Sequence, residues 1–144
     1  MRVCIQKVKE SSVLVGGEIV GAIGIGLNVL VGFCEHDNLD TIKYMAKKIA
    51  NLRIFEDENG IMNKSVLDVR GHILCISQFT LYGDATKGNR PSYIKALNGD
   101  KAKPLYEQFV DELNKYTHTE TGIFGADMEV NIKNDGPTTI IIEK

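Results

Sequence analysis

The feature that most constrains the fold is a series of short β-branched runs separated by glycine-rich turns in the first part of the chain. Apolar residues recur through Val3–Val15 and again through Ile19–Ile23, and Gly16-Gly17 stands between the two runs. A Gly-Gly pair in that setting is typical of a two-residue β-hairpin turn. The next run, Leu27–Phe33, is apolar enough to predict a central strand. The chain therefore begins as a β-sheet.

Two later segments change to helical spacing. The stretch 37–51 has an apolar face, and Asn38 and Asp40 offer side-chain oxygens for its N-terminus. A second helix is predicted from about Lys101 to Tyr116, with Pro104 in its first turn. Its apolar positions are four residues apart: Leu105, Phe109 and Leu113. Two main helices are therefore expected.

The remaining apolar runs read as strands. Arg53–Phe55 and Ile61–Asn63 flank a tight turn at Asn59-Gly60, and His72–Ser77 is a further strand. Met128–Ile132 and Thr138–Ile142 are predicted as two strands joined through residues 134–137, and the isoleucines at 140–142 indicate cover on both faces, by the helices or by a second subunit. The fold class predicted is α+β: one domain over residues 1–144, with an antiparallel β-sheet, a barrel-like core and two main helices.

Charge and cysteine content exclude several function classes. Seventeen Lys and Arg against nineteen Asp and Glu leave a net charge of −2, so an extended nucleic-acid footprint is not expected, although contact with one end of a strand stays open. No apolar run approaches the roughly 20 residues of a membrane span. The three cysteines are far apart in apolar surroundings and predict reduced thiols in a cytoplasmic protein. The three histidines form no ligand-spaced pair with each other or with a cysteine, so a zinc site is not expected. No other cofactor is predicted.

Two polar motifs stand out after strands. In Ser77-Gln78-Phe79-Thr80 an apolar strand ends in two hydroxyls and an amide, and Asn134-Asp135-Gly136-Pro137-Thr138-Thr139 lies near the C-terminus. From the residues alone, the first can be a strand end whose side chains cap loose backbone groups, and the second an ordinary turn. Neither motif by itself decides the function.

Together the two motifs give the chain a resemblance to the D-aminoacyl-tRNA deacylase family. The resemblance spans Met1 to Glu143 and includes the runs Leu52–Asn63, Gly88–Ser92 and Thr121–Met128. It implies a cytoplasmic homodimer that hydrolyses the ester between a D-amino acid, or mischarged glycine, and the 3′-terminal adenosine of tRNA, without a metal. The partners implied are the acceptor end of D-aminoacyl-tRNA and a second copy of the chain, with no membrane.

The resemblance also assigns a role to Gly136-Pro137. It implies a cis dipeptide that one subunit inserts into the active site of the other, with two carbonyl oxygens beside the α-carbon of the amino acid. An L side chain would collide with those oxygens, whereas a D side chain or a glycine hydrogen would not. Selection of this kind works by rejection. Family members commonly carry arginine at the position of Lys7, where it helps to orient the carbonyls, and lysine lacks the forked donor geometry.

The catalytic group is left open between two possibilities. Thr80 is a candidate nucleophile, but a hydroxyl needs an adjacent base and neither motif contains a histidine. The alternative, which we favour, is that main-chain N–H groups near Phe79 and Thr80 bind the developing oxyanion while the 2′-hydroxyl of the ribose assists. Ser77 and Gln78 would then orient the site, and Met128 would form a wall beside Phe79.

A local excess of positive charge is the candidate tRNA contact. Between Asp84 and Lys103 five basic residues oppose two acidic ones, and Lys87, Arg90 and Lys95 are the predicted contacts with phosphates. An ordinary solvated surface is the competing interpretation. Two other functions compete as well: an RNA-end binding module without turnover, and a general esterase that would cleave simple esters.

Overall fold

A long first strand organises the molecule. The computed structural model describes all residues from 1 to 144. In chain order, the elements are β1 (Arg2–Val15), β2 (Glu18–Ile23), β3 (Gly26–Gly32), α1 (Leu39–Ala50), β4 (Phe55–Glu56), β5 (Met62–Lys64), β6 (His72–Ser77), a 3-10 helix (Phe79–Tyr82), α2 (Gly99–Asn114), β7 (Thr119–Thr121) and β8 (Glu129–Glu143). The two main helices are present, and every predicted apolar run lies at least partly in a strand, although the last two runs belong to one strand. Strand β7 and the 3-10 helix were not predicted.

Strand β1 pairs along both of its edges. On one side its first half pairs antiparallel with β3 and its second half with β2, and on the other side β8 follows it from Arg2 to Leu14. The β1–β2 hairpin turns at Gly16 and Gly17, whose φ angles of 59° and 84° lie in the left-handed region that glycine adopts without a steric cost. This confirms the predicted hairpin.

The sheet is mixed and nearly closes on itself. Strand β6 pairs parallel with β3, and β7 pairs parallel with β6, so the expected antiparallel pairing holds for the neighbours of β1 but not beyond β3. The connection from β3 to β6 contains α1 and the β4–β5 hairpin, and is long enough to bring the chain back in the same direction. At the far end, Gly21 of β2 lies against the main chain of Thr121 in β7, so the two ends of the sheet approach each other and the barrel-like core is nearly closed.

The helices cover one face of this sheet. In β6, Ile73 and Cys75 join the large core under the helices, while Leu74 and Ile76 point into the barrel. This is the period-2 alternation of a strand that is buried on both faces. The apolar face of α1 is buried as its spacing predicted. Neither helix is long and apolar enough to cross a membrane.

The helix N-termini are set by asparagine caps. Asn38 Oδ1 accepts hydrogen bonds from the N–H groups of Asp40 and Thr41, so Asn38 is the cap and Asp40 lies in the first turn. Helix α2 begins at Gly99, two residues earlier than predicted, because Asn98 caps it. The placement of Pro104 in the first turn is therefore wrong, since it lies in the second.

The C-terminal region differs most from the prediction. Two strands joined by a turn were expected, but β8 is one strand, and both of its halves pair with β1. Gln6 pairs with Thr139 and Val8 with Asn134, so four residues of β8 lie opposite Lys7 alone. Residues 135–138 therefore form a bulge. The prediction of a turn between two strands is wrong because both halves run in the same direction.

Strand β8 is also the uncovered edge of the sheet. Ile140 and Ile142 pack against the core under the helices, but Ile141 is 67% exposed. The helices therefore cover one face of β8 only.

The cysteines are free thiols, and burial raises the pKa of Cys75 well above its ordinary value.

We predict that Gly26→Ala destabilises the fold. A Cβ at Gly26 would lie 1.9 Å from the carbonyl oxygen of His72, so the β3–β6 pairing would have to open. The expected loss in the free energy of unfolding is at least about 2 kcal/mol, measured by urea denaturation. Gly24→Ala is the matched control because no atom lies within 4 Å of its added Cβ. Equal urea midpoints of unfolding for the two variants would contradict the close approach of β3 and β6.

Candidate active site

A cavity of about 510 Å³ opens where β3 and β6 end. Because the two strands are parallel, their carboxyl ends meet at one edge of the sheet, with Val31 paired to Ser77. The loop before α2 and the loop before β8 form the other walls. The lining is mostly apolar and consists of Val31, Gly32, Phe33, Ser77, Gln78, Phe79, Tyr93, Ala96, Leu97, Asn98, Gly99, Ala102, Phe124, Gly125, Ala126 and Met128.

The main chain turns sharply at the first motif. The N–H of Gln78 donates to the carbonyl oxygen of Val31 at 2.7 Å, which extends the β3–β6 pairing by one bond, and the 3-10 helix then begins at Phe79. The first N–H groups of a helix have no partner within the helix. None of the turn, loop or cap hydrogen bonds uses the N–H of Phe79 or Thr80 as a donor. Two adjacent main-chain donors are thus available beside the cavity.

The side chains of this turn are arranged around the mouth of the cavity. The amide Nε2 of Gln78 donates to the hydroxyl of Thr80. The ring of Phe79 meets the ring of Tyr93 edge to face, with centroids 5.2 Å apart, and stays 56% exposed. Ser77 is half-buried in the wall. Three residues of the predicted motif thus line the cavity. Thr80 is not part of the lining, but its hydroxyl is hydrogen-bonded to Gln78, which is.

Met128 occupies the wall predicted for it. It packs directly on Gly122, where an added Cβ would lie 2.5 Å from the Met128 sulfur. Glycine at this position therefore lets the methionine reach the cavity. A Cβ added at Gly122 would also lie 3.3 Å from the side chain of Ile76, so this loop packs against the end of β6.

The cavity offers hydrogen bonds rather than acid–base groups. Its polar side chains are Ser77, Gln78 and Asn98, and the Tyr93 phenol is its one titratable group. No three His, Cys, Asp or Glu side chains come together as metal ligands. Such a site can orient a polar substrate and stabilise an anion through N–H groups, but it holds no base next to the Thr80 hydroxyl.

The second motif lies away from this cavity. Gly136 and Pro137 are exposed in the bulge of β8, joined by a cis peptide bond, and neither lines the cavity. The bulge is held by Asn134, whose Nδ2 donates to the carbonyl oxygens of Lys7 at 2.9 Å and Thr138 at 3.1 Å. The hydroxyl of Thr139 donates to the Pro137 carbonyl oxygen at 3.1 Å. Within one chain, therefore, the two motifs are not brought together.

Lys7 lies under the bulge, with its side chain only 2% exposed. Its Nζ donates to both carboxylate oxygens of Glu56, at 2.8 and 3.0 Å, and lies 3.5 Å from Asp135 Oδ2. The hydrogen bond from Lys7 holds the pKa of the Glu56 carboxyl below its usual range. No local pattern in the sequence indicates this pair, because Lys7 and Glu56 are 49 positions apart.

The predicted tRNA contacts form an exposed basic segment beside the cavity. Lys87, Arg90 and Lys95 are exposed and form no ion pair. The other two basic residues of the region are paired, Lys101 with Glu35 at 3.0 Å and Lys103 with Glu107 at 4.0 Å. A two-way main-chain bridge between Asp84 and Ser92 closes the loop that carries Lys87 and Arg90.

Several wall residues were not predicted individually. Phe124 packs near Tyr106 of α2, with ring centroids 5.6 Å apart, and Asn98 is both the helix cap and part of the lining. The runs 88–92 and 121–128 carried part of the family resemblance, but within them only Arg90 and Met128 had an assigned role. Their signal was present in the sequence, but only the fold shows that the second run and the loop before α2 face the same cavity.

Comparison with known proteins agrees with this architecture. The family described as D-Tyr-tRNA(Tyr) deacylase matches residues 4–143. D-aminoacyl-tRNA deacylases from Clostridium kluyveri and Clostridium acetobutylicum are 57% and 56% identical to the chain over 144 residues, covering 99% of it and 97% of each relative.

Two solved structures share the fold. One is titled c-Myc DNA Unwinding Element Binding Protein and is 43% identical, with a TM-score of 0.95 over 100% of this chain and 99% of that one. The other, a probable eukaryotic D-amino acid tRNA deacylase, has a TM-score of 0.83 at 18% identity, covers 98% of this chain and 97% of that one, and supports the fold alone. On the family match and the close relatives, the chain belongs to the D-Tyr-tRNA(Tyr) deacylase family of hydrolases.

Proposed function

We propose that this chain hydrolyses the ester that links a D-amino acid, or glycine, to the 3′-terminal adenosine of tRNA. L-aminoacyl esters are rejected by the Gly136-Pro137 segment of one subunit acting in the cavity of the other. The observation that carries this proposal is the turn from Ser77 to Thr80, which offers two main-chain donors at the mouth of a cavity with no acid–base pair. That arrangement suits an ester that is already activated.

The hydrolytic step rests on main-chain donors and on the substrate. The N–H groups of Phe79 and Thr80 bind the oxyanion of the tetrahedral intermediate, and a single donor of this kind is worth about 10²–10³ in rate in other enzymes. The vicinal 2′-hydroxyl of the ribose assists the attacking water or the leaving oxygen. The Thr80 hydroxyl, held by the Gln78 amide, binds the substrate, and Ser77 fixes the wall behind it.

Stereochemical selection requires a second subunit. Gly136 and Pro137 are exposed on the edge strand and do not line the cavity of their own chain. A second copy of the chain is therefore proposed to supply this dipeptide to the cavity. The exposed Ile141 on the same strand supports an interface there. Because carbonyl oxygens of the main chain make the contact, the filter tests chirality and tolerates any D side chain.

The tRNA is held mainly at its acceptor end, in the cytoplasm where charged tRNAs reach the ribosome. Lys87, Arg90 and Lys95 have no ion-pair partners and are proposed to bind phosphates there. The net charge of −2 fits a contact of this limited size. The role therefore proposed for the protein is chiral proofreading in translation.

The direct test is release of the amino acid from matched tRNA esters. With EDTA present, we expect the purified protein to deacylate D-tyrosyl-tRNA and glycyl-tRNA and to leave L-tyrosyl-tRNA intact, because only the L side chain meets the carbonyl oxygens. The measurement is the loss of labelled amino acid from tRNA over time. Protection of D-tyrosyl-tRNA without turnover would favour an RNA-end binding module, and cleavage of simple esters would favour a general esterase.

A second test separates the two catalytic possibilities. If Thr80 only binds the substrate, Thr80→Ala slows D-tyrosyl-tRNA hydrolysis by about 10- to 100-fold, the cost of one hydrogen bond in the transition state. A tRNA ending in 2′-deoxyadenosine should then be a poor substrate for the unmodified protein. Loss of about 10⁴-fold or more in Thr80→Ala, with normal hydrolysis of the 2′-deoxy ester, would instead identify Thr80 as the nucleophile. Thr86→Ala is the control, since its hydroxyl bonds only to Asp84.

A further inference from the structure

The bulge that carries Gly136-Pro137 is built over a buried charge. The side chain of Lys7 is only 2% exposed, and Lys7 is the single β1 residue opposite the four extra residues of β8. A buried ammonium is costly unless partners neutralise it. The partners of Lys7 therefore determine how the strand under the bulge is arranged.

Those partners come from two different parts of the chain. Glu56 lies in β4 and receives two hydrogen bonds from Lys7 Nζ, at 2.8 and 3.0 Å. Asp135 is the residue directly before Gly136, and its Oδ2 lies 3.5 Å from the same nitrogen. Lys9 is 3.7 Å from the other oxygen of Asp135 but is 64% exposed, so water screens that pair more strongly. The Lys7 ammonium thus links the β4–β5 hairpin to the bulge.

The hairpin side of this link is the better fixed. Phe55, next to Glu56, is buried in the large core. The hairpin turn is closed by Asp57, whose Oδ1 accepts the N–H groups of Asn59 at 2.9 Å and Ile61 at 3.0 Å. Asp135 instead belongs to a segment that leaves the sheet. One continuous chain of charges therefore runs from the Glu56 carboxylate on the fixed hairpin, through the Lys7 ammonium, to the Asp135 carboxylate on the bulge.

We propose that Glu56 is a positioning residue for stereochemical selection. Through Lys7 it holds Asp135, and with it Gly136-Pro137, at a fixed position relative to β1. The inference rests on the proposed function of that dipeptide. Steric rejection of an L side chain depends on carbonyl oxygens placed at contact distance. A misplacement near 1 Å in an active site is enough to change a reaction rate by about 10²-fold. Without the Glu56 carboxylate, the ammonium has Asp135 as its remaining partner and is free to shift toward the bulge.

The test compares hydrolysis of D- and L-tyrosyl-tRNA by matched variants. Glu56→Gln removes the charge at nearly constant size, and we expect the ratio of D to L hydrolysis to fall by about tenfold or more, the effect of losing one charge-assisted hydrogen bond. Asp135→Asn, which cuts the link at the bulge, should lower the ratio in the same direction. Glu58→Gln is the control, since it removes the same charge from the same hairpin but its partner is Lys64.

A double variant shows whether Glu56 acts through Lys7. If it does, Lys7→Met combined with Glu56→Gln is no less selective than Lys7→Met alone. Selectivity of Glu56→Gln equal to that of Glu58→Gln would overturn the inference while leaving the proposed function in place. Equal hydrolysis of both esters by the unmodified protein would remove the proposed function itself, and the positioning role with it.

Discussion

The pairing of β8 with β1 is the interaction on which the rest of the structure depends. It joins the C-terminal strand to the first strand over nearly its whole length, yet it accommodates four residues of β8 opposite one residue of β1. The excess cannot stay in the plane of the sheet, so Gly136 and Pro137 are pushed out of it. The same mismatch places Lys7 beneath the bulge, where its charge needs Glu56 and Asp135. A register constraint therefore produces both the exposed dipeptide and its support.

The residues proposed to act in hydrolysis and those proposed to act in stereochemical selection lie in two separate places. The parallel ends of β3 and β6 create the cavity and aim the turn at Gln78 into it. The bulge belongs to an edge strand that is separated from β6 by two strands, β1 and β3. A single chain thus holds the turn proposed to act in hydrolysis and the dipeptide proposed to act in selection without joining them. In the proposed dimer, chemistry and discrimination come from different subunits, so a monomer would lack its filter.

The sequence predicted local structure well where the signal is local. The Gly16-Gly17 hairpin and the Asn38 cap follow from a few adjacent residues, and the structure has both. The parallel pairing of β3 with β6 was not predicted, because it depends on the length of the connection and not on either strand's composition. The continuous β8 was missed for a similar reason: Gly-Pro is typical of a turn, and only the partner strand shows that both halves run in the same direction.

The site could be predicted in part from the two motifs. Ser77, Gln78, Phe79 and Met128 meet at the cavity as expected, but the pairing of Lys7 with Glu56 joins residues 49 positions apart and has no local signature. The roles of the motif residues in catalysis and selection stay predictions.

The most direct measurement of the central claim uses mixed dimers. A protomer with Gly136→Ala keeps its cavity but has a disturbed bulge, since the added Cβ would lie 2.6 Å from the Thr138 hydroxyl, and a protomer with Thr80→Ala keeps its bulge but hydrolyses slowly. When the first is mixed with an excess of the second, its cavity receives an intact bulge. The account predicts that L-tyrosyl-tRNA hydrolysis then falls well below that of the Gly136→Ala protein alone, while D-tyrosyl-tRNA is still cleaved. Undiminished L-tyrosyl-tRNA hydrolysis per Gly136→Ala protomer would show that the dipeptide acts within its own chain and would contradict the account.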